Sequence, residues 1–113
     1  MVLSEFIKKI PKKIKIAGDD YKISFVDRVA VDDMDFVFGL SDFANREIFL
    51  AVKDRKGKEL PVSVVETTLY HELTHILLDA GQYLDLSAQE FIVEWVGRCI
   101  KDIVKAMGNM KGK

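Results

Sequence analysis

Residues 71–75 read His-Glu-Leu-Thr-His and contain both histidines of the 113-residue chain. On an α-helix, positions i and i+4 lie one above the other on the same face. His71 and His75 can therefore aim one imidazole nitrogen each at a single metal ion. Glu72 sits about 100° round the helix, within reach of a water on that metal without being a ligand. Two imidazoles and an adjacent carboxylate at this spacing are the working parts of zinc-dependent peptide hydrolysis, in which zinc acidifies a water and the carboxylate takes its proton.

The motif's surroundings favour a site over two surface histidines. Thr68-Leu69-Tyr70 before it and Ile76-Leu77-Leu78 after it carry no charge, nor do Leu73 and Thr74 inside it. A solvated helix face would be charged; a helix lining a cleft would not. Pro61 followed by Ser63-Val64-Val65-Glu66 predicts a helix opening near residue 63 with a capping box, and Asp79-Ala80-Gly81 predicts its end at the glycine. Stepping 100° per residue, Val65, Leu69, Leu73, Ile76, Leu77 and Ala80 form a broad apolar face. Thr68, His71, Glu72, His75 and Asp79 share the neighbouring stripe, so core and chemistry occupy adjacent faces of one helix.

A catalytic zinc commonly takes three protein ligands. With no third histidine, a downstream carboxylate must serve: Asp79, Asp85, Glu90 or Glu94. Asp79 lies a further turn along the same straight helix, too distant for tetrahedral geometry; Asp85 sits in a connector and stays in contention. The last helix carries an apolar face centred on Ile92, Val96, Cys99 and Ile103. Glu94 falls nearly opposite, where pairing with Arg98 is its ordinary use, although its 18-residue interval from His75 has the spacing of thermolysin-like gluzincins. Glu90 lines up with Val93 and Gly97. A mid-helix glycine costs about 1 kcal/mol relative to alanine, which close approach of another helix would explain. The row 90/93/97 is thus expected to face the metal helix, and Glu90 is preferred to Glu94 on side-chain direction. The competing use of Glu90 is a capping box with Ser87.

The remaining chain bounds the problem. Hydrophobic residues make up 49% and charged residues 31%, an ordinary globular composition, and the net charge is −1. One domain spanning 1–113 is expected. No overall field would attract nucleic acid or an anionic membrane, no run is long and apolar enough to span a bilayer, and no signal peptide is recognisable. The single cysteine, Cys99, forms no internal disulfide and is expected to be a small buried thiol; together these features favour the cytoplasm. Strands are expected at 13–16, 21–26, 36–38 and 47–52, with a turn at Gly18-Asp19-Asp20, an acidic connector from Asp27 to Asp35 and a turn at 56–58. Residues 3–10 read as a short amphipathic helix. Ser87-Ala88-Gln89-Glu90 predicts the capped start of a helix running to about Met107, with a frayed tail from Gly108. The expected architecture is α+β: a small, mostly antiparallel sheet followed by the motif helix and a second C-terminal helix. Lys8, Lys9, Lys12, Lys13 and Lys15 form a basic cluster without interleaved aromatics, best read as a solvated face. Asp32, Asp33 and Asp35 lack the glycine and terminal glutamate of a calcium loop and read as polar connector.

The segment Thr68 to Leu77, the short strand region before it and the second helix opening Glu90-Phe91-Ile92-Val93-Glu94 resemble small phage-type HExxH zincin metallopeptidase-like proteins, which are related to ImmA/IrrE-type zinc peptidases. The segment Ile14 to Ile23 is similar to the opening hairpin of those phage proteins. The resemblance spans roughly residues 13–105, and HExxH is its diagnostic part. It implies a minimal zincin-like fold, Zn2+ held by His71, His75 and a downstream glutamate, and Glu72 as catalytic base. Members commonly carry Glu followed by Ala-Asn in the second helix; Val93-Glu94 stands at that place here, so the ligand register stays open between Glu90 and Glu94. The expectation is a zinc metallopeptidase acting on a peptide or protein substrate. Its rival is a non-hydrolytic zinc-binding module that presents a surface to a regulatory partner. A strand edge within 47–52 is the expected substrate-docking edge. Tyr70 and Tyr83 are oxyanion candidates, each with packing as its ordinary role.

Overall fold

A computed structural model describes residues 1–31 and 34–111. Helix α1 (Leu3–Lys9) leads into strand β1 (Lys13–Ile16), β2 (Asp19–Val26), β3 (Val29–Val31), β4 (Met34–Val37), β5 (Gly39–Asp42) and β6 (Glu47–Ala51). Helix α2 (Val62–Ala80), the short α3 (Leu84–Ser87) and α4 (Glu90–Lys111) complete the chain. The order β1-β2-β6-β5 makes a four-stranded sheet, while β3 and β4 form a separate antiparallel pair. The α+β class is as expected. The main sheet is mixed, however: β1–β2 and β5–β6 are antiparallel and β2–β6 is parallel. Parallel pairing needs a crossover, and the chain from 27 to 46 supplies it. The expected acidic connector is therefore largely strand. The aspartate cluster at 32, 33 and 35 lies outside the residues whose side chains are described.

Alternation along the strands makes the sheet one-sided. Tyr21, Ile23, Ile48 and Leu50 point to one face and are buried, where α2 covers them with Val65, Leu69 and Ile76. On the opposite face Lys22, Ser24 and Glu47 stay polar, with Ser24 Oγ donating to Glu47 Oε2 at 2.6 Å. The first hairpin turns at Ala17-Gly18, both at positive φ (52° and 88°), as a two-residue primed turn requires. Asp19 and Asp20, expected in the turn, belong to β2 instead, and Asp20 lies within 4.0 Å of both Lys13 and Lys15 Nζ.

Helix boundaries depart from the capping-box reading in both cases. Pro61, not Ser63, is the N-cap of α2, with no side-chain cap bond; proline's fixed φ and missing N–H suit a helix start without one. Ser87 lies in α3, so it does not cap α4. Helix α2 ends at Ala80 with Gly81 as C-cap, as expected, but the left-handed residue is Gln82 (φ 64°). Helix α4 continues to Lys111, past the expected fraying point at Gly108.

Candidate metal centre

Helices α2 and α4 run antiparallel, tied at one end by Lys105 Nζ to Glu66 Oε1 (3.2 Å). Between them lies Gly97, where an added Cβ would stand 3.2 Å from the Tyr70 carbonyl oxygen and 3.3 Å from Thr74 Oγ1. Val93 is fully buried beside it. The close approach expected from the row 90/93/97 is present, and it brings the start of α4 over the histidines. The expected apolar face of α4 is not the packed one: Ile103 is exposed and Cys99 is intermediate rather than buried. Helices in contact at a small-residue row leave the neighbouring large-residue rows outside the contact.

Three side chains converge. Glu90 Oε2 lies 2.9 Å from His71 Nε2, and Glu90 Oε1 lies 3.1 Å from His75 Nε2. One donor atom from each of the three falls within 4.8 Å of the others. Glu94 reaches the same histidine from behind, its Oε2 2.9 Å from His71 Nδ1, while Oε1 takes the expected contact with Arg98 Nε at 3.4 Å. Ser87 Oγ lies 2.9 Å from His75 Nδ1. The two glutamates thus divide the work: Glu90 sits where both Nε2 atoms point, and Glu94 and Ser87 each hold an Nδ1. Asp79 and Asp85 are not among the converging atoms.

His71 tests whether this group fits a cation. Carboxylate oxygens face both of its ring nitrogens, whereas a neutral imidazole has one N–H and one bare lone pair, so one nitrogen must carry either a second proton or a cation. A cation between Nε2 and Glu90 meets that requirement and leaves Nδ1–H to donate to Glu94, the outer-shell pattern that fixes ring orientation at metal sites. The edge of a tetrahedral zinc site is about 3.3 Å, from metal–ligand lengths near 2.0 Å. The 2.9 and 3.1 Å separations, each to a different Glu90 oxygen, fall a few tenths of an ångström short of that edge. With one donor atom from each residue lying within 4.8 Å of the others, a single ion would draw the three side chains in around it. Two imidazoles and a carboxylate are also a donor set that zinc accepts.

Glu72 is turned to the other flank, toward β5. Ser41 Oγ donates to Glu72 Oε1 at 2.6 Å, and only 7% of Glu72 is exposed. Burial holds its carboxyl above the usual carboxylate range, opposed by the Ser41 hydrogen bond and by charge on His71 and His75, and reinforced by Glu90. Gly39 makes the approach possible: a Cβ there would come 2.7 Å from Thr68 Cγ2 and 3.1 Å from Glu72 Cγ. Two clefts meet over this point. The larger, about 670 Å3, runs from Val37 and Phe38 past Val64, Thr67 and Thr68 to His71, Glu72, Glu90 and Glu94. The smaller, about 290 Å3, runs along Leu40 and Ser41 to His75 and Asp79. The entire polar stripe expected on the motif helix therefore lines open space.

The expected docking edge at 47–52 is corrected: β6 is paired on both sides, with β2 and β5. The open edge beside the site belongs to β5. The bond from Ala51 N–H to the Phe38 carbonyl sets the alternation, so backbone groups of Gly39 and Ser41 point away from β6. Sequence reasoning missed Gly39, Ser41 and Ser87. An interior glycine after Phe36-Val37-Phe38 signals close backbone approach, whereas nothing local marks Ser41. Neither Tyr70 nor Tyr83 lines either cleft. No helix among the described residues is long and apolar enough to cross a membrane. Compared with family models, curated proteins and solved structures, the chain matches none.

Proposed function

We propose that the protein is a minimal, zincin-like zinc metallopeptidase, with zinc held by His71, His75 and Glu90 and with Glu72 as general base. The observation that carries the reading is His71 set between two carboxylates, beside a buried glutamate that opens on a cleft. Bound zinc would supply Lewis acidity, promoting loss of a proton from water and polarising a carbonyl. The chain's own residues supply the rest. Glu94 and Ser87 orient the imidazoles through Nδ1. Glu72 accepts the proton of the attacking water and passes it to the leaving amine, so that hydroxyl ends on the carbonyl carbon and hydrogen on nitrogen. Its burial suits this role, because a desolvated carboxylate holds a proton more readily. The Ser41 hydroxyl fixes Glu72 Oε1. An extended peptide laid along β5 would meet the outward N–H and C=O groups of Gly39 and Ser41 and pass directly over Glu72. The lone thiol is in keeping with a cytoplasmic setting.

The test pairs metal content with cleavage. Stoichiometric zinc is expected in wild type and in Glu72→Gln, with chelator-sensitive hydrolysis of a peptide library in wild type alone. Zinc in both proteins with hydrolysis in neither leaves the zinc-binding module as the answer, and undiminished hydrolysis by Glu72→Gln refutes the assigned base.

A further inference from the structure

Helix α4 contacts α2 through Glu90, Val93 and Gly97, and the row 91, 95, 99, 103, 107 is turned roughly to the other side. Phe91 is 74% exposed, Trp95 68%, Ile103 59% and Met107 56%, with Cys99 intermediate at the centre. These are five successive members of one i, i+4 ridge. Exposed apolar residues scattered singly need no explanation, but a contiguous ridge does.

We propose that this ridge is the interface of a homodimer, two copies of α4 crossing antiparallel with Cys99 beside the two-fold axis. The order of side chains along the row argues for a second copy. Reversing the helix about Cys99 sets Trp95 opposite Ile103 and Phe91 opposite Met107, so each aromatic ring meets an aliphatic chain. The smallest residue falls at the crossing point, where two helices come closest. An unrelated partner would place no demand on that order. Ridges of spacing four interdigitate at a crossing angle near −50°, and a two-fold contact closes on itself without leaving a second copy of the patch exposed. At the exposures given, the ridge offers about 500 Å2 per copy and about 1,000 Å2 for the pair, the lower end for specific association. The dimer is therefore a dissociating one. Glu90 and Glu94 project from the side of α4 opposite Cys99, so the crossing point lies away from both clefts, and the dimer does not depend on the metal reading.

Trp95 is the only tryptophan in the chain, which makes its emission a local probe. Sedimentation equilibrium on the full chain should give a mass rising from one chain to two with concentration, with Trp95 emission moving to shorter wavelength over the same range. Trp95→Glu and Ile103→Lys, both at exposed positions, should each weaken self-association by more than about 100-fold. Mixed in equal amounts, they should associate again, because the antiparallel register sets the new glutamate against the new lysine. Tyr83→Ser, an exposed aromatic off the ridge, should leave the mass unchanged. A wild type that keeps the one-chain mass up to about millimolar concentration overturns the proposal. So does association that survives Trp95→Glu or is lost in Tyr83→Ser, or a mixture of the two charged variants that stays monomeric.

Discussion

His71 and His75 share a motif but not an environment. His71 has a carboxylate at each nitrogen, whereas His75 has Glu90 at one and a hydroxyl that can donate or accept at the other. Removing the two glutamates should therefore have unequal effects. Glu90→Gln should weaken zinc binding by well over 100-fold, and Glu94→Gln by only about 10–100-fold, as for an outer-shell partner. Competition against a chromophoric chelator measures both, and the reverse ranking would make Glu94 the ligand. Glu72 bears on pH. Its folded-state pKa lies above the unfolded value, so the metal-free fold favours the protonated carboxyl. That contribution to stability is complete below the ordinary glutamate range and is lost as pH rises through the folded-state value. Urea unfolding in chelator should show the stability advantage of wild type over Glu72→Gln shrinking from about pH 4 upward. An advantage that grows with pH would contradict the assigned burial effect.

Gly39 and Gly97 do for β5 and α4 what no side chain could. Each lets an element carrying site residues come against α2: β5 with Ser41, and α4 with Glu90 and Glu94. Gly97→Ala improves helix propensity by about 1 kcal/mol, but its Cβ meets the Tyr70 carbonyl oxygen, which is backbone and cannot rotate aside. Overpacking costs about 1–3 kcal/mol. The net change in stability should be a loss of at most about 2 kcal/mol, with zinc affinity falling because α4 moves off the histidines. For Gly39→Ala the 2.7 Å contact is with a side-chain methyl on a β-branched residue, Thr68, so β5 must shift. Peptide hydrolysis should fall by about tenfold or more while zinc content stays near one per chain, since a 1 Å misplacement can cost about 100-fold. Lost zinc with retained hydrolysis would place β5 outside the working site.

A domain of this size has a single core, here under α2, and the proposed ligands come from both of its long helices. A metal held by them would join α4 to the body of the molecule. At zinc concentrations about 100 times Kd, binding to the folded state alone adds about 2.7 kcal/mol. Chelation should then lower the melting temperature by about 10 °C. A melting temperature insensitive to zinc would mean that the converging side chains hold none.

Much of this was legible in the order of residues because it is local. The helix bearing the motif, its polar stripe and most of its apolar face follow from a 3.6-residue repeat, although Leu77, expected on that face, is half exposed; β1, β2 and β6 follow from a repeat of two. Even the meeting of α2 and α4 left a trace in Gly97, a residue a helix carries only for a reason outside itself. The capping boxes misled because their letters have two uses: Ser87 and Glu90 satisfy the motif for a helix start, yet here their side chains are spent on His75 and His71. The parallel pairing of β2 with β6, the edge position of β5 and the Ser41 bond to Glu72 leave no comparable mark, since strand order depends on chain crossings that no periodicity records. The pair of histidines and the neighbouring carboxylate are determined by spacing along one helix. The choice of Glu90 over Glu94 at the Nε2 atoms was decided only in three dimensions, because it turns on how closely two helices pack.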